Sequence, residues 1–241
     1  MEHFGLEFSI KIIFILRPAI SEGSVVYPRE PLVSVEGPLG LVQLLETPLL
    51  VLFNYPCLVA TQASRLRRLI PAGKGLAELG LRRAQGPNGG LTGSVYAYIG
   101  GSDTTSNIQA TSLYGVPSVG TMAHSFVTSF ESPSDLNEEM CRRETPKGPV
   151  DVRDIALRIR SELNFEGTHE GELASFIHYG LNYPRRFICL VDTWDTLKSG
   201  VPNYAVAYLA VCEFLGEEFR KETKRSYGVR LDSGNMAELS K

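Results

Sequence analysis

The chain has 241 residues, 43% apolar and 21% charged, a balance that supports a buried core and speaks against disorder over most of its length. Lys and Arg (24) fall short of Asp and Glu (27), and the net charge of -3 argues against a nucleic-acid binder with a basic excess, though not against a pocket for one small anion. Cys57, Cys141, Cys189 and Cys212 stand far apart with no CxxC pair, which disfavours a zinc site or a disulfide framework and suits the cytosol.

In chain order, Phe8 to Leu16 (FSIKIIFIL) is apolar but is interrupted by Lys11 and is too short to cross a bilayer. Glu2 and Glu7 precede it, so it does not read as a secretory leader, and no membrane association is expected. Alternation predicts a strand over 9–16 and another over Ser24 to Val35, the second held to an edge or a turn-rich sheet by Pro28 and Pro31. From Leu39 to Leu69 the pattern is helical and dense enough in apolar residues to require burial. Pro48 and Pro56 are expected to divide it into two or three pieces. Arg65, Arg67 and Arg68 close this stretch as a solvated helix end.

Beyond Gly75 the chain alternates strand, loop and helix. A strand is expected over Ala77 to Ala84, a glycine-rich turn over Gly86 to Gly90 and a helix over Leu91 to Ile99. Ile108 to Leu113 suits a short strand or helix, and Val119 to Ala123 a strand ending at His124. Pro133 to Gly148 reads as a loop or insertion. Helices are expected over Asp151 to Leu163, Gly171 to Leu181 and Pro202 to Leu215. Arg186 to Asp192 (RFICLVD) has the continuous apolar run of a buried parallel strand, and Gly228 to Asp232 forms another. Such alternation argues for an α/β fold with a parallel sheet, open or barrel-like.

Four polar clusters sit where strands are expected to end, the usual place for ligands in such folds. In the first, Arg82 and Arg83 precede a glycine turn, and one of them can grip a carboxylate or phosphate. The second, Gly100 to Asn107, holds Asp103 among small residues and is equally a plain loop. In the third, Thr121, His124 and Ser125 close a strand; His124 suits an acid, base, nucleophile or phosphate acceptor, with a structural histidine as the alternative. In the fourth, Arg230 and Asp232 share one strand face above the Ser233-Gly234 turn, either over a ligand or as an internal salt bridge. Asp192, Trp194 and Asp195 are also placed for a site, but Asp192 can equally cap the next helix, and Trp194 suits the core more often than a stacking platform. His169 is expected exposed and His178 packed.

Five strings in order, EGSVVYPREPLVSVEGPLGLVQLLETPLL, GLRRAQGPNGG, GVPSVGTMAHSFVTSF, LVDTWDTLKSGVPN and GVRLDSG, resemble the eukaryotic type of nicotinate phosphoribosyltransferase from Glu22 onward. The resemblance implies a type II phosphoribosyltransferase, with an α/β domain beside an irregular, incomplete α/β barrel. It implies transfer of phosphoribosyl from phosphoribosyl pyrophosphate to nicotinate, coupled to ATP hydrolysis and accompanied by Mg2+, in a cytosolic homodimer. His124 looks like the histidine that ATP phosphorylates, and Thr121 like a nicotinate contact. Arg82 is similar to an arginine near the pyridine site, with Arg83 its neighbour. Asp103 matches a pocket aspartate of the related nicotinamide enzyme. Arg230 and Asp232 look like ligand contacts, the aspartate suited to the ribose hydroxyls, with Ser125, Ser233 and Gly234 beside them.

The sequence also departs from that family. The segment before Glu22 does not match, so the N-terminal tyrosine and an arginine-rich FFRR strand are missing, and after VRLDSG the chain stops short of a glycine-rich phosphate turn. Asn235 stands where aspartate is usual, and Glu217 to Ser226 reads as an added exposed helical segment. The expected organisation is a non-matching segment over 1–21, part of an α/β domain over 22–75 and an incomplete barrel over 76–241. A barrel interrupted part-way leaves open strand edges, so the expectation is a shortened chain, poorly stable and inactive alone. The alternative is a non-catalytic piece that binds ligand weakly or pairs with a full-length subunit.

Overall fold

The structure, a computed structural model, describes residues 15–16, 20–146, 148–216 and 226–241. It separates into two units, Met1–Val119 and Gly120–Lys241, with helices and short strands mixed in both.

In the first unit, β1 (Ile15–Leu16) pairs antiparallel with β2 (Val35–Glu36). The rest of the strand expected over 9–16 lies outside the described residues. The strand expected from Ser24 is confined to β2, and the stretch before it is irregular with a turn at residues 28–29, because Pro28 and Pro31 offer no ladder donors. Helix α1 (Leu39–Leu69) runs unbroken through Pro48 and Pro56, correcting the expected division. Its C-terminal half is anchored on both sides of Pro56. The Tyr55 hydroxyl donates to the Gly89 carbonyl (2.8 Å), and Arg67 Nε donates to the Gly101 carbonyl (2.8 Å).

The expected burial of α1 is corrected too. Of its residues only Ala63 is buried, and Leu58 is 68% exposed. Apolar density states what a helix would gain by packing, about 1.5–3 kcal/mol for each large side chain, but it does not supply the partner. By length and composition α1 could cross a membrane (mean hydropathy 1.4 over its most apolar window), yet interior helices of soluble proteins carry the same composition.

β3 (Ala77–Glu78) pairs in parallel with β4 (Thr104–Thr105). The strand expected to reach Ala84 stops at Glu78, and a 3-10 turn, Leu81–Arg83, follows. The Glu78 carboxylate accepts hydrogen bonds from Ser94 Oγ (3.0 Å) and Thr105 Oγ1 (2.8 Å), joining the strand pair to α2 (Gly86–Ile99). Residues 86–90, expected as a turn, are the first turn of α2: Pro87 sits where a missing N–H costs nothing. Gly90 and Gly93 lie so close to Leu81 and Tyr55 that a methyl group would not fit. Asn107 caps α3 (Ile108–Tyr114), accepting from Gln109 and Ala110 N–H.

The second unit holds the larger core. The strand expected over Val119 to Ala123 is not formed; after a single bridge at Ser118, the segment leads directly into α4 (His124–Val127). The described residues of the Pro133 to Gly148 segment form regular elements rather than a plain loop. It contains the 3-10 turn Pro133–Asp135, α5 (Glu138–Cys141) and a hairpin of β5 (Arg142–Thr145) with β6 (Gly148–Asp151). Its polar residues read as loop because they cap: Ser132 and Asp135 form a capping box, and Asn137 caps α5.

Helices α6 (Val152–Glu162), α7 (Glu170–Asn182) and α8 (Val201–Leu215) and strand β7 (Arg186–Leu190) lie close to their expected bounds. β7 pairs in parallel with β8 (Ser226–Arg230), in a register that sets Leu190 opposite Arg230. Of the segment Glu217 to Ser226, expected as an exposed helical addition, residues 217–225 lie outside the described residues and Ser226 opens β8. Phe176, Ile177, Phe187, Leu190, Val206 and Val211 centre the core. The His178 ring packs beside Phe126 (5.9 Å) and Phe130 (5.4 Å), and burial pushes its pKa down.

A π turn, Thr196–Gly200, carries the chain from the end of β7 into α8. A Cβ added at Gly200 would meet the Val191 carbonyl oxygen at 1.9 Å, so this position tolerates only glycine without moving the strand end. Gly200→Ala is expected to destabilise the second unit by about 3 kcal/mol, the upper end for overpacking. Gly120→Ala, with open space around it, should stay within about 0.5 kcal/mol of the parent. Urea denaturation followed by far-ultraviolet circular dichroism of both variants checks this.

Candidate active site

The parallel strands β7 and β8 end side by side, and their ladder extends one bond further, from Val191 N–H to the Arg230 carbonyl (3.2 Å). Two residues past each strand stand Asp192 and Asp232. Both oxygens of Asp192 are used. Oδ1 faces His124 Nε2 at 3.2 Å, and Oδ2 accepts from Ser233 Oγ at 2.5 Å. The Asp192 side chain is 3% exposed, whereas that of His124 is 43% exposed. Burial opposes a charge on Asp192, but the hydrogen bonds from Ser233 and His124 outweigh it and hold its pKa below the usual carboxylate range.

A carboxylate that stays ionised only accepts, so His124 must donate through Nε2–H. In the neutral ring, Nδ1 then carries the lone pair. This makes His124 a held nucleophile or proton acceptor, with one ring nitrogen oriented by a carboxylate and the other available.

The second half of the cluster is built on Arg230. Its Nη1 donates to Thr121 Oγ1 (2.8 Å), and its Nη2 pairs with Asp232 Oδ1. The salt bridge weighed as an alternative is therefore present, and it includes Thr121 from the segment that leads into α4. Thr121, His124, Arg230, Asp232 and Ser233 thus form one cluster, with Asp192 beneath. Gly234 follows in a left-handed conformation (φ 78°) that only glycine adopts without strain. Ser125 is exposed, and its carbonyl accepts from Thr128 Oγ1 (3.3 Å).

Asp192 does not cap the following helical turn. Asp195 does, accepting from Leu197 N–H (3.1 Å) and Lys198 N–H (2.8 Å). Trp194, expected in the core, is 52% exposed. The signal for Asp192 was available in sequence: an apolar strand closing on an acid at its C-terminal end.

Arg82, Arg83 and Asp103 belong to the first unit. Both arginines are exposed on the 3-10 turn, and Arg83 lines a cavity of about 240 Å3 with Tyr55, Glu78, Gln85 and Ser94. Asp103 accepts from Leu76 N–H (2.6 Å) and pairs with Arg67; these contacts hold its pKa down. Arg67 is therefore not the solvated helix end expected.

Sequence reading missed Glu172 altogether, since an acid inside α7 carries no motif. It is fully buried. Its Oε2 accepts from Ser199 Oγ (2.6 Å) and Asn203 Nδ2 (3.0 Å), while Oε1 has no hydrogen-bond partner among the described residues. Burial pushes its pKa up, opposite to Asp192. Among the described residues no group of three or more His, Cys, Asp or Glu side chains is arranged to hold a metal by itself.

The two carboxyl groups give opposite pH dependences. The stability due to Asp192 is complete above its unfolded pKa of about 4 and is lost as pH falls through its lower folded value. Asp192→Asn should therefore flatten the acid limb of the stability curve. The raised Glu172 contributes stability below its unfolded pKa of about 4.3 and loses it as pH rises through the folded value. Glu172→Gln should remove that loss. Denaturation midpoints measured from pH 3 to 8 for parent and variants check both.

No protein-family model matches the chain. It is 45% identical over 231 residues to nicotinate phosphoribosyltransferase 1 of Arabidopsis thaliana, a match covering 92% of this chain and 40% of that protein. It is 47% identical over 225 residues to the nicotinate phosphoribosyltransferase of Homo sapiens, covering 90% and 40%. The crystal structure of human nicotinic acid phosphoribosyltransferase superposes with a TM-score of 0.76 at 43% identity, covering 94% of this chain and 46% of that one. The chain therefore spans about 40% of the length of the curated relatives it matches. By sequence and by fold it is similar to a part of the nicotinate phosphoribosyltransferases over nearly all of its own length.

Proposed function

We propose that this chain carries a central part of the machinery of a nicotinate phosphoribosyltransferase. In that reaction the pyridine nitrogen of nicotinate attacks the anomeric carbon of phosphoribosyl pyrophosphate. The carbon–oxygen bond to pyrophosphate breaks, and the leaving group takes its electron pair. The observation that supports this reading best is the convergence of Thr121, His124, Arg230, Asp232 and Ser233, all nominated from sequence, in one cluster that includes the buried Asp192.

No protein nucleophile is needed for that displacement. His124 would serve the ATP-coupled step: its Nδ1 lone pair bonds to the γ-phosphorus as the bond to the bridging oxygen breaks and ADP leaves with that electron pair, while Asp192 accepts the Nε2–H hydrogen bond and stabilises the charge that forms on the ring. Water then releases phosphate and restores the imidazole. Asp232 is suited to the ribose hydroxyls. Arg230, already paired with Asp232, holds Thr121 in place and adds positive charge near the leaving group. Arg82 or Arg83 would read the nicotinate carboxylate, which nicotinamide lacks.

Mg2+ would arrive with pyrophosphate and offset its charge. An ion largely held by phosphate oxygens and water needs only one or two carboxylates, and Asp232 at the strand end fits that role. An irregular α/β barrel around β7 and β8, assembly as a homodimer and a cytosolic location belong to the same proposal. Four free cysteines, three of them buried, support the location.

A second reading is a non-catalytic chain that pairs with a longer subunit. The exposed apolar side chains of α1 support it. Purified chain incubated with labelled nicotinate and phosphoribosyl pyrophosphate, with and without ATP, separates the two. The first reading expects nicotinate mononucleotide, with ATP stimulation abolished in His124→Ala. Stimulation that survives His124→Ala, or a preference for nicotinamide, would sink it. No turnover, together with co-purification of the chain with an intact relative, supports the second.

A further inference from the structure

Trp194 is the only tryptophan in the chain, and it is exposed two residues after Asp192. One face of its indole is covered by the His169 ring, with centroids 4.4 Å apart and planes inclined by 16°. At 52% exposure the remaining surface is open.

The His169 side of this stack is held in place. His169 Nδ1 accepts from Glu172 N–H (3.3 Å), which fixes the orientation of the ring. Its own backbone N–H donates to Ser199 Oγ (3.0 Å), and its carbonyl accepts from Asn203 Nδ2 (2.9 Å). On the other side, Asp195 fixes the backbone of Leu197 and Lys198. A large aromatic surface kept in water with one face already stacked has given up part of the freedom that a flexible side chain would lose on binding.

We propose that the open face of Trp194 is the stacking platform for the purine ring of a nucleotide whose phosphates lie toward His124. Two residues of chain place the Trp194 and Asp192 backbones within about 7 Å of each other, and Asp192 holds His124. Lys198, exposed four residues further on, supplies positive charge for the phosphates. The bicyclic indole offers more stacking area to a bicyclic base than to a single pyridine ring, and such stacking needs no hydrogen-bond readout. The inference rests on the reading that a nucleoside triphosphate is a substrate, but its test needs no turnover.

Because the chain has one tryptophan, its fluorescence reports this site alone. ATP and GTP are expected to quench it saturably, while phosphoribosyl pyrophosphate, which has no aromatic ring, and nicotinate do not. By calorimetry, Trp194→Ala should bind ATP about tenfold more weakly, and Trp194→Phe, which keeps a ring, within about threefold of the parent. Unchanged emission with ATP, saturable quenching by nicotinate, or full ATP affinity in Trp194→Ala would overturn the platform. Mononucleotide formation without ATP quenching would remove the platform and leave the proposed function standing. Quenching without any turnover would retain the platform as a nucleotide site and count against the function.

Discussion

The in-register parallel pairing of β7 with β8 is the constraint on which the candidate site depends. Leu190 lies opposite Arg230, so the two chains leave the sheet together and Asp192 comes within reach of Ser233. A slip of one residue would turn the side chains at this end to the opposite face, separating Arg230 from Thr121 and Ser233 from Asp192. The register is held by the apolar run of β7, by Gly200 packed on the Val191 carbonyl and by the core under α7 and α8. Chemistry at the C-terminal edge of a parallel pair follows from this geometry.

Electrostatics then divides two buried acids by the donors available to each. Asp192 receives a hydroxyl on one oxygen and an imidazole on the other, and it keeps its charge. Glu172 receives its donors on a single oxygen and lies deeper, so burial dominates. The two are connected through backbone rather than by direct contact. Glu172 ties Ser199 and Asn203 to His169, and Ser199 precedes the glycine that packs on the strand end. An acid with no apparent chemical role thereby fixes both the Asp192 backbone and the ring beneath Trp194.

In the first unit, two polar side chains of the Gly100 to Asn107 segment are occupied structurally. Asp103 holds the Leu76 N–H and Arg67, and Asn107 caps a helix. The same unit carries a 31-residue helix whose apolar side chains are largely exposed. Its composition records a preference for burial that packing against α2 meets only in part. Five of the residues nominated for the site meet in the second unit because their segments end at one sheet edge. Arg82, Arg83 and Asp103 lie in the other unit.

What the sequence determined by itself was local. The periods of α6, α7 and α8 and the apolar run of β7 are properties of neighbouring residues, and they were legible to within a few positions. The strings around His124 and Arg230 carried the resemblance and named most of the cluster. Tertiary structure decided the rest, because each remaining feature depends on a partner distant in sequence. Pro48 and Pro56 do not break α1, and packing of Tyr55 and Arg67 on α2 spans the second of them. Asp192 orients His124 rather than capping a helix, and Asp195 takes the cap. Glu172 is a buried acid only because α8 and the π turn enclose it, and Trp194 lies outside the core because His169 holds it there. Periodicity records which residues prefer burial. Which groups meet is set by the register of one strand pair and the path of the chain between its ends.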